Sequence, residues 1–396
     1  MHELLKDADL CVKCGLCLPH CPTYGQTGNE NESPRGRIAL IQGYAGGHLD
    51  ATPALLAHID HCLLCRACEK ACPAEVPYGR LVDRFRAQTQ VMQPFSPAVA
   101  LLKRLAVNPT LKRWAQAGLR FYQSPSIKRL GLLRLLNLGT LNRLLPAGNA
   151  PAEALKSHYA ASGNAKGEVG LFTGCIATLL DSATLRAAIK CLTAAGFDVH
   201  VPAEQTCCGA LAQHDGDVDA AAQLAAKNCR AFAMPNLTAI VTVASGCGAQ
   251  LKDYQNAEAA GKVVDASRFL AENADFSDRL IPLAATVCLH TPCSLKNAMR
   301  EEQGALTLLR QIPDLKVIEL PQTTHCCGAA GSYVLKHPKM AKTLVDQLLD
   351  AAIATQAGTL ITSNIGCALH LAAGLRERGK TLEVLHPLAL LARQLP

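Results

Sequence analysis

Aromatic residues are scarce in this 396-residue chain: they make up 4% of it, with one tryptophan, Trp114. Proteins that hold single-stranded nucleic acid by base stacking need a platform of such side chains, so nucleic acid is not an expected partner. No apolar run reaches the ~20 residues of a membrane-spanning helix, because Lys, Arg or Gly interrupts every leucine-rich stretch. Any membrane contact is therefore expected to be peripheral, on the inner face of the cell membrane. No carboxylate pair, Ser–His constellation or nucleotide-binding glycine loop stands out, so no residue is assigned a catalytic role. The first cysteine motif starts at Cys11, which leaves no room ahead of it for a secretory signal. A cytoplasmic setting is expected.

Cysteine, by contrast, is abundant, with 19 in the chain. In a reducing compartment such numbers point to thiols serving metal centres rather than to a disulfide framework. Hydrophobic residues reach 49%, enough for the cores of two or three domains. The net charge of +7 is mild but unevenly placed. Between Arg80 and Arg143 twelve basic residues stand against one acid, Asp83. That segment reads either as a solvated helical surface or as a docking face for an acidic partner or anionic lipid.

Eight of the cysteines form a doubled signature. Cys11, Cys14, Cys17 and Cys21 stand in C-x-x-C-x-x-C-x-x-x-C-P spacing closed by Pro22; Cys62, Cys65, Cys68 and Cys72 repeat it, closed by Pro73. This run holds [4Fe–4S] clusters by thiolates, with the fourth cysteine of each run ligating the other cluster. One cluster is therefore assigned to Cys11, Cys14, Cys17 and Cys72, and a second to Cys62, Cys65, Cys68 and Cys21. Zinc is the main alternative, but zinc sites pair two C-x-x-C units and have no use for a third equally spaced cysteine or for the proline. Lys13 and Arg66, inside the motifs, read as solvent-exposed or as charges that tune a potential or guide docking.

Forty residues separate Cys21 from Cys62. Within them, Ser33-Pro34 supplies a helix start with Gly43 as its stop, and a second helical pattern begins at Pro53. Residues 1–90 thus read as a helical domain, with a last helix from Tyr78 to Gln88. Residues 91–166 read as a basic helical connector, with Leu130, Leu133, Leu136 and Leu138 near one-face spacing. Its tail, Ser157 to Gly167, is small and polar and reads as a linker.

The remainder repeats itself. Cys175 corresponds to Cys293, the pair Cys207-Cys208 to Cys326-Cys327, and Cys247 to Cys367, at offsets of 118 to 120 residues. Such constancy indicates duplication. Each copy, 167–277 and 278–396, alternates short β-branched runs with helical patterns, which predicts two parallel α/β layers. Expected helices include Leu179 to Ala195 and Ala341 to Ala357. Ligands of such sheets gather beyond the carboxyl ends of the strands, where Cys175, Cys247, Cys293 and Cys367 fall. Four converging thiols per copy suggest a soft-metal site, iron–sulfur or zinc. Cys191, Cys229 and Cys288 lack counterparts and read as buried free thiols.

These repeats resemble the cysteine-rich CCG domains of the heterodisulfide reductases and their relatives. In that family the double cysteine and its outlying cysteines bind iron–sulfur clusters, which makes Cys175, Cys207, Cys208, Cys247, Cys293, Cys326, Cys327 and Cys367 candidate ligands of one or two further clusters. The family pattern ends in C-x-x-C, whereas this chain has Gln250 and His370 at the last position. His370 is a candidate substitute, and His290 and His325 lie near the motifs.

Taken whole, the order of two-cluster domain, connector and two CCG repeats resembles the glycolate oxidase iron–sulfur subunit family, related to lactate-utilisation iron–sulfur proteins and to the corresponding subunit of anaerobic glycerol-3-phosphate dehydrogenase. Ser33-Pro34-Arg35-Gly36-Arg37 and Val76-Pro77-Tyr78-Gly79 are similar to the glycolate oxidase form. The resemblance implies an electron-transfer subunit that drains FAD on flavoprotein dehydrogenase partners toward a respiratory acceptor such as quinone. Lactate or glycerol-3-phosphate as substrate, or a CCG-type thiol/disulfide reductase, are the alternatives it leaves open.

Overall fold

A computed structural model describes residues 1–92, 97–108, 110–111, 114–115, 117–118, 139–146, 154–321 and 326–396. The N-terminal part is helical. Helices His2–Ala8, Pro34–Ala45, Pro53–Asp60 and Tyr78–Thr89 close over Leu4, Ile41, Ile59, Leu81 and Phe85, all within 1% of full burial. Their starts follow the chain's local chemistry: Ser33 and Thr52 accept hydrogen bonds from the amides of Gly36 and Leu55, each with a proline at the first helical position. The first of these helices runs through Gly43, the expected stop, to Ala45. Leu49 folds back over the bare face of that glycine instead.

Under these helices lies a buried polar knot. Arg37, 1% exposed, reaches the Glu32 carboxylate (2.5 Å), the Thr23 hydroxyl (3.1 Å) and the carbonyl of His58 (2.7 Å). His58 and His61 also meet Glu32, at 2.7 and 3.0 Å. Burial alone would push the Glu32 carboxyl up, but hydrogen bonds from His61 and His58 and the Arg37 charge bring it down to about 2. A buried charge survives only when paired in this way. The knot fastens the segment after the first motif to the start of the second, so that Cys21 arrives beside the second loop.

The described connector contains helices Pro97–Val107 and Gly139–Leu144; Leu130, Leu133, Leu136 and Leu138 lie outside the described residues. Where side chains of the basic segment are described, several of its cations have acidic or carbonyl partners elsewhere in the fold, while Arg104 is exposed. Arg80 and Arg84 pair with Asp7, Lys103 with Asp215 and Asp217, and Arg143 with Glu377. Arg86, 5% exposed, donates to the carbonyls of Ile59, Cys62 and His214. These cations tie the parts of the molecule together. Ser157 to Gly167, read as a linker, carries a short edge strand.

Two sheets follow. Strands β1 (His158–Tyr159), β2 (Gly167–Phe172), β3 (Phe197–His200), β4 (Leu237–Thr242) and β5 (Val263–Asp265) form one in the order β1-β3-β2-β4-β5. Strands β6 (Ala285–His290), β7 (Leu315–Glu319), β8 (Thr359–Thr362) and β9 (Glu383–Leu385) form the other in the order β7-β6-β8-β9. All pairings are parallel except β1 with β3. Setting β1 aside, the two orders are the same, so the duplication extends to topology. The expected helix from Leu179 to Ala195 is two, Ile176–Leu180 and Ser182–Ala194, parted at Asp181, whose carboxylate caps the second. The longest helix of the second copy runs Pro338–Ala354.

The copies share a core. Val241 and Leu270 of the first lie in one buried cluster with Leu289, Leu308 and Leu391 of the second. Helix Ser182–Ala194 packs on Pro387–Gln394, and Ala266–Asn273 on Gln303–Leu309, so each copy lends a helix to the other.

Candidate metal centres

The two ferredoxin-type loops have the same backbone. Lys13 and Gly15 in the first, and Leu64 and Arg66 in the second, stand at matching positions with left-handed φ of 56°, 85°, 51° and 57°. Such alternation curls the chain and turns successive amides to the inside of the loop, a nest suited to anionic sulfur. Arg66 takes the conformation that Gly15 takes without a side-chain penalty; for a non-glycine residue it costs about 1–2 kcal/mol. Its guanidinium is held by Glu69 (2.6 Å) and Asp253 (2.8 Å), so it is not the free cation the sequence suggested.

The second expected thiol set comes together. Burial pushes the Cys68 thiol well up, and neighbouring Cys65, Cys62 and Cys21 push it further. Donors point at these sulfurs: the Leu64 amide to Cys62 (3.4 Å), the Tyr78 hydroxyl to Cys62 (3.6 Å) and the Ala67 amide to Cys65. Of the first set, Cys17 is raised by burial, opposed by the Arg35 amide, with Cys11 and Cys14 adding to the rise. Cys72 follows the short helix Ala67–Lys70, which packs on the turn Leu18–His20 just after Cys17.

Each CCG copy also gathers its four cysteines. Cys175 Sγ donates to Cys207 Sγ at 3.5 Å, and Cys208 meets both Cys207 and Cys247. In the second copy Cys293 and Cys326 are 3.9 Å apart, and Cys327 donates to Cys367 at 2.8 Å. The glycine after each double cysteine has a left-handed φ, +90° at Gly209 and +77° at Gly328. That turn lets its amide donate to the first sulfur of the pair, at 3.5 and 3.4 Å. Hydrogen bonds from Cys293 and Cys327 hold the Cys326 thiol well below its ordinary range, against its burial.

At the position of the missing fifth cysteine stand Gln250 and His370. His370 is fully buried, with Nδ1 at 2.8 Å from the Cys327 carbonyl and its titration lowered to about 4 by burial; it does not line the central cavity, whereas Gln250 does. His290 is likewise buried and bound to the Thr362 hydroxyl at 2.9 Å; His325 lies outside the described residues. Cys191 and Cys288 are fully buried thiols, as expected, while Cys229 is half-buried and faces the cavity.

The sequence did not indicate where these groups sit relative to one another. Cys65 of the second ferredoxin-type loop packs against the apolar cluster that holds Cys326 of the second CCG copy, and its thiol is pushed well up by burial first and by Cys326 next. Asn297 reaches across to donate to the Cys65 carbonyl at 2.9 Å. A cavity of about 1730 Å³ is lined by Cys62, Cys65 and both CCG quartets. Only the apolar character of Leu63, which packs with Cys326 and Tyr333, was available in the sequence as a sign of this contact.

The donor set at these sites is sulfur, backed by amide hydrogens and without carboxylate. Among the described residues no three His, Cys, Asp or Glu side chains close around a single ion. A four-iron cluster takes one protein sulfur per iron and does not require that closure. Soft thiolates with N–H···S bonds are what iron–sulfur clusters use, so the residues fit such groups.

The 4Fe-4S dicluster domain family matches residues 7–76, and the cysteine-rich domain family matches twice, at 169–252 and 287–372. The probable glycolate oxidase iron–sulfur subunit of Bacillus subtilis is 32% identical over 93% of this chain and 89% of its own. The glycolate oxidase iron–sulfur subunit of Escherichia coli is 30% identical over 92% and 89%. Lactate utilization protein A of Geobacillus kaustophilus is 28% identical over 55% of this chain and 96% of its own. Among the described residues no helix is long and apolar enough to cross a membrane.

Proposed function

Because the chain belongs to the glycolate oxidase iron–sulfur subunit family, we propose that it is the electron-transfer subunit of a flavin-dependent 2-hydroxy acid dehydrogenase that converts glycolate to glyoxylate. The observation that carries the electron-transfer reading is the packing of Cys65 against the apolar cluster that contains Cys326, tied by the Asn297 hydrogen bond to the Cys65 carbonyl, which joins the dicluster domain to the second CCG copy. Cys11, Cys14, Cys17 and Cys72 hold the first [4Fe–4S] cluster, and Cys62, Cys65, Cys68 and Cys21 the second. The CCG quartets hold one or two more. When bound, iron–sulfur clusters supply one-electron carriers, the complement of a flavin that takes two electrons from substrate.

The chain's own residues set the conditions for that transfer. Amides of Leu64, Ala67, Gly209 and Gly328 point at sulfurs, and hydrogen bonds of this kind raise a reduction potential. Burial of Cys21, Cys62 and Cys68 keeps water from the second centre. Partner subunits carry the flavin, and a respiratory acceptor such as quinone takes the electrons, with peripheral attachment at the inner face of the cell membrane.

Anaerobic purification should give a chain with iron and sulfide in cluster stoichiometry and reduced-state EPR signals; zinc in their place would overturn the reading. With purified flavoprotein subunits, glycolate should reduce a dye, and the chain alone should not. Full activity with lactate or glycerol-3-phosphate and none with glycolate would replace the substrate. The cavity faced by both CCG quartets favours one second reading, a thiol/disulfide reductase, which requires disulfide turnover by the isolated chain.

A further inference from the structure

The two ferredoxin-type loops share sequence spacing and backbone but differ in what covers them. Leu63 of the second loop is 6% exposed, packed in one apolar cluster with Cys326, Tyr333, Val334 and Leu344, with Cys65 at its edge. Ion pairs seal the rim: Arg66 with Asp253 and Lys70 with Glu302 place cations of the loop on acids of the α/β part, while Asp60 makes the reverse pair with Lys336 and a hydrogen bond with His337. In the first loop the position matching Leu63 is Val12, and it is 72% exposed; Leu10 and Leu16 beside it are 47% and 57% exposed. Cys14, the match of Cys65, is the one exposed cysteine of the eight. Lys13, between Val12 and Cys14, is exposed as well.

Three large apolar side chains bared within seven consecutive positions, around an exposed ligand thiol, are not the scattered exposure usual on a protein surface. The internal copy shows what such a loop accepts: an apolar face with acids at its edge and an electron-carrying group beneath. We propose that Leu10, Val12, Lys13, Cys14 and Leu16 form the electron-entry docking surface, and that its occupant is the flavin-carrying partner subunit, through an apolar patch rimmed by acidic residues. A second copy of this chain fits less well, since a two-fold contact would oppose Lys13 to Lys13. The proposal rests on the electron-transfer reading above. For each reduced flavin reoxidised, two electrons cross this face singly, the flavin's protons leave to solvent, and the respiratory acceptor gains the two electrons.

The test uses the cluster-loaded full chain and the separately purified flavoprotein subunits, with affinity measured by biolayer interferometry under anaerobic conditions. Val12→Asp/Leu16→Asp should weaken binding at least tenfold, with iron content and dithionite-reduced EPR spectra unchanged. Leu10→Asp, outside the ligand run, should do the same in lesser degree, and Lys13→Glu should weaken binding and remove part of its salt dependence. Ile281→Asp, an equally bare apolar residue on the α/β part (54% exposed), should leave affinity within twofold. Wild-type affinity in the loop variants would overturn the docking surface while leaving the electron-transfer reading intact. Loss of self-association alone would assign the face to a second copy. A wild-type chain that carries clusters but does not bind the flavoprotein overturns both.

Discussion

Gly209 and Gly328 follow the two double cysteines with the same job, yet replacing them by alanine should not cost the same. Both have left-handed φ, +90° and +77°, so either substitution carries about 1–2 kcal/mol of backbone strain. At Gly209 an added Cβ meets nothing closer than the Ala221 carbonyl at 3.4 Å, an ordinary contact. At Gly328 it stands 2.7 Å from the Ala341 carbonyl and 2.9 Å from the Ala341 Cα. Those atoms belong to helix Pro338–Ala354, which is pinned by the buried Leu344, Val345 and Leu348 and cannot retreat as a side chain would. Overpacking of this kind adds about 1–3 kcal/mol, giving about 2–5 kcal/mol in all for Gly328→Ala. The variants differ by the overpacking of about 1–3 kcal/mol, so at about 2–4 °C per kcal/mol for a unit of this size Gly328→Ala should melt below Gly209→Ala by about 2–12 °C. Anaerobic thermal unfolding of the two variants, matched for iron content, measures this. Equal midpoints, or the reverse order, would refute the steric reasoning.

Arg66→Gly should be more stable than Arg66→Ala by about 1 kcal/mol, because both lose the pairs with Glu69 and Asp253 but only glycine relieves the left-handed backbone; denaturant midpoints of the two decide it. Glu32→Gln should destabilise by about 3–5 kcal/mol, since it strands the buried Arg37 charge, and the same unfolding measurement should also show loss of the second cluster's iron. Asp265 is fully buried, and burial raises its carboxyl from 3.8 to about 7, with the nearby Glu301 adding to the rise. The folded chain therefore holds a proton that the unfolded chain has released, so this contribution is full below pH 3.8 and is lost as pH rises toward 7. Between about pH 5.5 and 7 the loss is about 2 kcal/mol, and Asp265→Asn should flatten that decline; an unchanged slope would show that Asp265 is not its source.

Much of the site was legible because cysteine chemistry is local. A C-x-x-C-x-x-C run can wrap only one cluster face, so Cys62, Cys65 and Cys68 were expected to converge, and the fold brings Cys21 among their neighbours. The constant offset between the CCG copies likewise foretold equivalent strands, and β3-β2-β4-β5 and β7-β6-β8-β9 match. Less legible were groups whose partners are far away in sequence. Arg80, Lys103 and Arg143 stand in a run with one nearby acid; Asp7, Asp215 and Glu377 pair with them across the fold. His370 has the offset of a ligand, and its helix sets Nδ1 against the Cys327 carbonyl while Nε2 is buried without a hydrogen-bond partner, which the sequence alone did not show.

By itself, then, the sequence determined which cysteines sit on one loop, because ligand spacing and backbone handedness act within about a dozen residues. It could not say that Cys65, and not Cys14, would be buried against another thiol group. That depends on Asn297 and Tyr333, far along the chain, and on the shared core that sets the second CCG copy against the second loop. Burial is a property of the whole packed molecule, and here it makes one of two equivalent loops an internal junction and leaves the other facing solvent.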